Sequence, residues 1–413
     1  MKIRTLTLGI SLLHEDFADT TSGPFLCPLS LLQKVRAPWE GLLRIKKAYE
    51  DIGYQVQTLR ISFNSFEEWL LPRLKGGDQD KIVVSIMKQL ENLLEQLDVP
   101  ISSIGPCTDI QNASIIPSLL SLCPRVSSSV LFGYNGSDVA PNYEDCLQAA
   151  QVCLKISEIV GDLGNFRFCV GFHCPSNTPF YPVSHHRGSR PCLTVGLENG
   201  DLVFLSFFGA NDHQTASENL RNAMKQVLLP IQRIAVEQCR AELIDFGGID
   251  ASVNPGLALP DSVGQGLEQF LSGINAASFG GHGTLSAVSA VTAALKALEK
   301  DAELRLAGYC GLMLPVMEDL VLAARAAEQP PRFSLRDLLV FSTICGVGLD
   351  TVPVPGASSA EEIAAVYLDL GTLAFRLRKP LTARLLPMAD KAAGDLTSVD
   401  SPFLCNTRVF SLR

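Results

Sequence analysis

Short apolar, strand-like runs alternate with amphipathic helical runs along almost the whole chain, and this constrains the fold more than any single motif. Ile3 to Ile10 alternates as a first strand does. A turn-rich loop, "TTSGPFLCP", follows, then a helix near Leu31–Tyr49, kinked or split at Pro38, then the strand "YQVQTLRIS". Residues 64 to 97 read as helical with a polar break at "KGGDQD". Ser102–Asp109 and Val126–Tyr134 read as strands. Asn142 is placed to cap the helix "NYEDCLQAAQVCLKISEIV". Strands in "NFRFCVGFHCP" and "CLTVGLENG" precede a long helix over 213–240. No fixed-period repeat or low-complexity linker interrupts the pattern. The expectation is one α/β domain, residues 1–413, on a central sheet or barrel; Gly209–His213 is the one weak candidate for a boundary.

Composition narrows the function classes. Hydrophobic residues at 47% and charged residues at 19% describe an ordered globular chain. The net charge of -9, with no Lys/Arg cluster longer than "FRLRKP", predicts no nucleic-acid partner. The apolar run Leu6–Leu13 is broken by Thr7, Gly9 and Ser11 and leads into His14, Glu15 and Asp16, so it reads as a strand and not as a signal peptide. No apolar stretch is long enough to span a membrane, so no membrane partner is expected. The 12 cysteines are scattered without a CxxC pair, as small apolar residues in a reducing, cytoplasmic setting would be. A homodimer is the default expectation for a soluble enzyme.

Glycine-rich loops in the second half hold the candidate site residues. "IDFGGIDASVNPG" ends a strand at Gly247-Gly248 and leaves Asp250 in a loop, where it either caps a turn or does chemistry. "SFGGHGTLSAV" surrounds His282 with Gly280, Gly281 and Gly283, and Thr284 opens a helix. Free N–H groups there suit an anion, and His282 suits a donor or base; a plain tight turn is the alternative. In "GYCGLMLPVMED", Pro315 fits the first turn of a helix, with Glu318 and Asp319 on its dipole or facing the site. In "STICGVGLDTVPVPG", Cys345 is a nucleophile if its pKa is lowered and otherwise a small buried residue, and Asp350 precedes a strand. Arg384, on the strand "LTARLLP", and Lys379 can hold a carboxylate or phosphate. "FHCPSNTPFYPVSHHRG" reads as an ordered lid or wall. On a strand, His185 and His186 would point to opposite faces, against joint ligation of one metal; His173 is the third histidine there.

The stretches "IRTLTLGISL", "IDASVNPG", "GGHGT", "GYCGLMLPVMED", "TICGVGLDTVPVPG" and "KPLTARLLP" resemble an uncharacterised bacterial and archaeal domain-of-unknown-function family. That family has a fold like pyruvate formate-lyase. The resemblance implies a glycyl-radical-enzyme-like α/β barrel of about ten strands surrounded by helices, with the site inside or at its mouth. It implies no radical chemistry, because no glycine follows Arg408 in "CNTRVFSLR". The leading expectation is a soluble enzyme acting on a small anionic metabolite by acid/base or thiolate chemistry. His282, Asp250, Cys345 and Asp350 would be its catalytic groups, and no cofactor is named by the residues. A non-catalytic metabolite sensor and a structural protein with a vestigial cavity are the alternatives.

Overall fold

A computed structural model describes residues 2–18, 26–74, 78–133, 140–276, 278–344 and 347–413. Nine strands form one mixed sheet: β1 (Lys2–Ile10), β2 (Gln55–Phe63), β3 (Ile101–Cys107), β4 (Val126–Phe132), β5 (Phe168–Phe172), β6 (Cys192–Glu198), β7 (Asp245–Asp250), β8 (Gly348–Pro355) and β9 (Leu381–Met388). Their order is β7-β6-β1-β2-β3-β4-β5-β9-β8. β1 to β5 run parallel, joined by helical crossovers as parallel neighbours must be. β6 pairs antiparallel with β1, and β9 antiparallel with β5, so each flank reverses direction.

The sheet is not a closed ten-stranded barrel. Among the described residues, no continuous ladder joins β7 to β8. Isolated bridges run from Ile249 to Leu306, from Val253 to Leu312 and from Pro315 to Asp350. The segment between Leu306 and Pro315 thus touches both edges of the sheet without forming a strand. Its backbone is turned by Gly308 and by Asp250, described below.

Helices cover the sheet. One buried cluster runs from Ile3 to Phe410 and takes side chains from nearly every element. The helix Leu29–Asp51 continues through Pro38, where a kink or split was expected. Its buried positions Leu31, Val35, Leu42, Ile45 and Tyr49 form one stripe, and that packing outweighs one missing backbone hydrogen bond. Asn142 caps Tyr143–Val160 as predicted, accepting from the Asp145 N–H at 2.8 Å. Among the described residues, no helix is long and apolar enough to cross a membrane.

Three local expectations change. β7 does not end at Gly247-Gly248; the register shifts opposite Leu193/Thr194 and the strand continues to Asp250. Asp350 lies inside β8, at a bulge between Leu349 and Val352, and not before the strand. Pro315 opens no helix: it bridges to Asp350, and the helix starts at Leu320 with Asp319 as its cap. Asp319 accepts from the Val321 and Leu322 N–H groups and from Ser262 and Gly264, which uses its carboxylate fully.

Candidate functional site

A cavity of about 460 Å³ lies against β1 to β5, β8 and β9, walled by residues 180–182 and by parts of 309–318. The size is that of an ordinary small-molecule pocket. β1 and β9 are five places apart in the hydrogen-bonded order, yet Arg4 and Arg384 both line it.

Arg384 organises its polar wall. Its Nε donates to Asp350 Oδ1 at 2.6 Å and its Nη2 to Glu318 Oε1 at 2.5 Å, while its guanidinium lies 4.9 Å from the Phe166 ring centre. Two carboxylates on one planar guanidinium is the charge-assisted geometry arginine favours. The β8 bulge aims Asp350 here. The next residue, Thr351, has φ 43°, a left-handed backbone that a β-branched side chain rarely adopts. Burial, with Asp350 as a like charge, pushes the Glu318 carboxyl above its ordinary pKa, while Arg384 and Arg4 pull it down.

A second ion network adjoins the first. Arg4 Nη1 donates to Glu198 Oε2 at 2.6 Å, Lys2 to Glu198 Oε1 at 3.0 Å, and Gln57 to Glu198 Oε2 at 2.9 Å. Against burial, these partners hold Glu198 below the ordinary carboxylate range. Arg4 Nη2 also faces Glu318 Oε2 at 3.5 Å, which links the two networks. Arg125, on the opposite wall, pairs with Glu91.

Two further arginines line the cavity without a carboxylate ion pair among the described residues. Arg60 donates from Nε to Thr58 Oγ1 at 3.2 Å and stacks 5.0 Å from the Tyr181 ring centre. Arg167 donates to the carbonyls of Cys123 and Val126, at 3.2 and 2.9 Å. Burial pushes Arg60 down to about 10 and lowers Arg167 as well. For each, burial outweighs the nearby carboxylate, Glu318 for Arg60 and Glu91 for Arg167.

The sequence-derived residues divide. Asp350 and Arg384 meet in the cavity. Asp250 and His282 are not among the residues that line it. His282 is exposed. Its glycine loop closes on itself: Gly280 N–H donates to Thr284 Oγ1 at 3.0 Å, Gly281 accepts from the Thr284 N–H, and Thr284 is buried. Gly283, with φ 100°, caps the helix Thr284–Leu298 in a left-handed conformation. The flanking glycines are explained by that turn. Lys379 follows the helix Ala360–Leu377 and donates its backbone N–H to the Ala374 carbonyl; it does not line the cavity. Cys345 lies outside the described residues. His185 and His186 are buried in the loop after β5, not on a strand, and that loop forms a wall as expected through Phe180, Tyr181 and Pro182. Among the described residues, no group of three His, Cys, Asp or Glu side chains is placed to hold a metal ion.

Asp250 acts on the cavity at one remove. It accepts from Ser252 N and Oγ at 2.9 and 2.6 Å, from Tyr309 N at 2.8 Å and from Cys310 N at 3.0 Å. It therefore pins the turn that brings Tyr309 to the cavity wall. Gly308, with φ 74°, sits so close that a Cβ would come 2.7 Å from Asp250 Cγ and closer still to Oδ2. Gly308→Ala is expected to destabilise the protein by more than about 2 kcal/mol, from backbone strain plus a collision with a fixed carboxylate. Urea denaturation of both proteins checks this; an unchanged midpoint would show that the turn yields.

Sequence reading singles out Glu318 as an acid on a helix dipole or facing the site, but not Arg4, Arg60 or Arg167. A signal exists: strands buried on both faces read as apolar runs, and a charged residue within one is out of place. Arg4 in "IRTLTL" and Arg60 in "TLRIS" both break that rule.

The family model described as "Uncharacterised ACR (DUF711)" matches residues 1–400. A UPF0210 protein of Pyrobaculum aerophilum is 25% identical over 412 residues, covering 96% of this chain and 87% of that one. A UPF0210 protein of Acetivibrio thermocellus is 27% identical over 414 residues, with the same shares covered. One of Methanopyrus kandleri is 25% identical over 412 residues, covering 96% and 88%.

Proposed function

The chain belongs to the DUF711 family of uncharacterised bacterial and archaeal proteins, and from that premise we propose that it is a cytoplasmic enzyme acting on a small anionic metabolite by non-radical acid/base chemistry. The observation that carries the reading is the arginine-rich cavity, in which Arg60 and Arg167 lack a carboxylate counter-ion among the described residues. Arginines in a partly enclosed site favour carboxylate or phosphate oxygens. Glu318 supplies the acid/base group: its carboxyl is raised by burial and set beside a second carboxylate, an environment that shifts a carboxyl toward acid/base work. Thiolate chemistry is disfavoured at Cys169, whose thiol burial raises well above its ordinary pKa. Gly394 lines a separate groove with Arg408 and Phe410, which favours the non-radical reading. The finer fold reading, a single domain with an open sheet of the pyruvate formate-lyase kind, rests on the bridges by which the 306–315 segment approaches both sheet edges. A homodimer belongs to the same proposal.

The test is thermal melting with inorganic phosphate and a panel of small carboxylates. Ligand at 100 times its dissociation constant adds about 2.7 kcal/mol to folded-state stability. The upward shift is expected in the wild type and in His282→Ala, and is expected to vanish in Arg60→Gln, with folding of each variant checked by circular dichroism. A shift lost in His282→Ala and kept in Arg60→Gln would return the site to the glycine loop.

A further inference from the structure

Resting on that reading, and narrowing its ligand, we infer that the cavity takes a monocarboxylate carried on an apolar body: a short-chain or aryl acid, and not a phosphate or a wholly polar acid. The observation behind it is a small apolar cluster packed apart from the main core. Five of its members line the cavity: Cys169, Phe180, Tyr309, Met313 and Val347. They come from four separate stretches of chain: β5, the loop after it, the turn pinned by Asp250, and the entry to β8. The fold thus assembles one continuous apolar wall that faces open space. Such a wall gains free energy when a ligand covers it, and a ligand gains about fourfold in affinity for each methylene it buries there.

Arg60 marks the anionic end, and the wall begins next to it. Its guanidinium lies 5.0 Å from the Tyr181 ring centre, and Tyr181 follows Phe180 of the cluster directly in the chain. Both aromatic residues line the cavity. Thr58 Oγ1 takes Arg60 Nε at 3.2 Å, and among the described residues no hydrogen bond engages its terminal nitrogens. Glu318 acts on Arg60 through its field alone, because its two oxygens take Arg384 and face Arg4. The charge balance fits one carboxylate. Five lining arginines stand against Glu91, Glu198, Glu318 and Asp350. Lys2, which also meets Glu198, has Asp261 at 2.5 Å as its own partner. One net positive charge is left among the described residues. A single carboxylate neutralises it, whereas a second buried negative charge would lack a partner.

The experiment is a ligand-observed NMR titration with the straight-chain acids from acetate to hexanoate, with inorganic phosphate and with hexanamide. In the wild type, affinity is expected to rise about fourfold per added methylene. Hexanamide has the same tail without the charge and should bind at least about tenfold more weakly than hexanoate. Arg60→Gln should weaken every acid by a similar factor. Met313→Gln, close to methionine in volume, should flatten the dependence on chain length. Circular dichroism checks that both variants fold, and the wild-type series is decisive without them. A rise of less than about twofold per methylene overturns the inference and leaves anion binding standing. Phosphate bound more tightly than hexanoate does the same. Hexanamide bound as tightly as hexanoate, or no binding by any acid or by phosphate, overturns the proposed function with it. A chain-length dependence that survives in folded Met313→Gln overturns the assignment of the tail to this wall.

Discussion

Arg384→Ala is expected to cost about 3–5 kcal/mol of folding stability at neutral pH, whereas Arg60→Ala should stay within about 1 kcal/mol of wild type. The two residues line the same cavity and are of the same type, but they leave different things behind. Removing Arg384 strands Asp350 and Glu318, both lodged in the wall, with the 3.5 Å approach of Arg4 to Glu318 and the weaker field of Arg60 as remaining compensation. Removing Arg60 strands no carboxylate; it relieves a buried charge and forfeits a stacking contact with Tyr181. The Arg384→Ala deficit should shrink as pH falls, because protonation of Glu318, whose carboxyl burial already raises, discharges part of the stranded charge in the native state. Guanidinium denaturation from pH 7 to pH 4 reads both effects. Equal losses for the two variants would mean that the ion pairs on Arg384 are not what holds this wall.

That contrast bears on how much of the site the sequence carries. Asp350 and Arg384 are legible because each is a charged residue at or within a strand-like run, and the structure brings them into contact. Their partner Glu318 is legible only as an acid after Pro315. The expected helix there would have turned it toward a dipole, but Pro315 instead bridges to Asp350 and a turn delivers Glu318 to the cavity. Contacts of this kind join residues 34 and 66 positions apart, and no local pattern encodes them. His282 is the opposite case. Glycines around an imidazole have the same appearance whether they cradle a ligand or turn a chain; here Gly283 caps the helix in a left-handed conformation and His282 is exposed. The strands and long helices were easier to read, because apolar alternation and a cap such as Asn142 act within a few residues. Closure of the sheet was not legible for the same reason as Glu318: the 306–315 segment is neither alternating nor helical, and its bridges depend on a turn held by Asp250.

Acid should weaken the fold through His185 well before the surface carboxylates protonate. The ring is 1% exposed, and its Nδ1 lies 3.0 Å from the Val183 carbonyl, which makes Nδ1–H the donor and the neutral imidazole the native form. Burial pushes its pKa down to about 4, partly offset by that carbonyl, with His186 and Arg187 adding to the depression. In the unfolded chain the same ring takes a proton near its ordinary 6.5. Between these values the unfolded state binds a proton that the native state refuses, so stability falls as pH drops from 6.5 toward 4. The loss integrates to about 3 kcal/mol, and it is complete once the native ring also protonates. His186, lowered by burial in the same loop, adds in the same direction. His185→Phe keeps a ring in the space and removes the titration. The variant should be less stable than wild type at pH 7, where the Val183 carbonyl loses its donor, and should close that gap as pH falls to 4. Urea midpoints at half-unit pH intervals measure the difference; parallel curves for the two proteins would mean that His185 is protonated in the native state or is not the group that titrates.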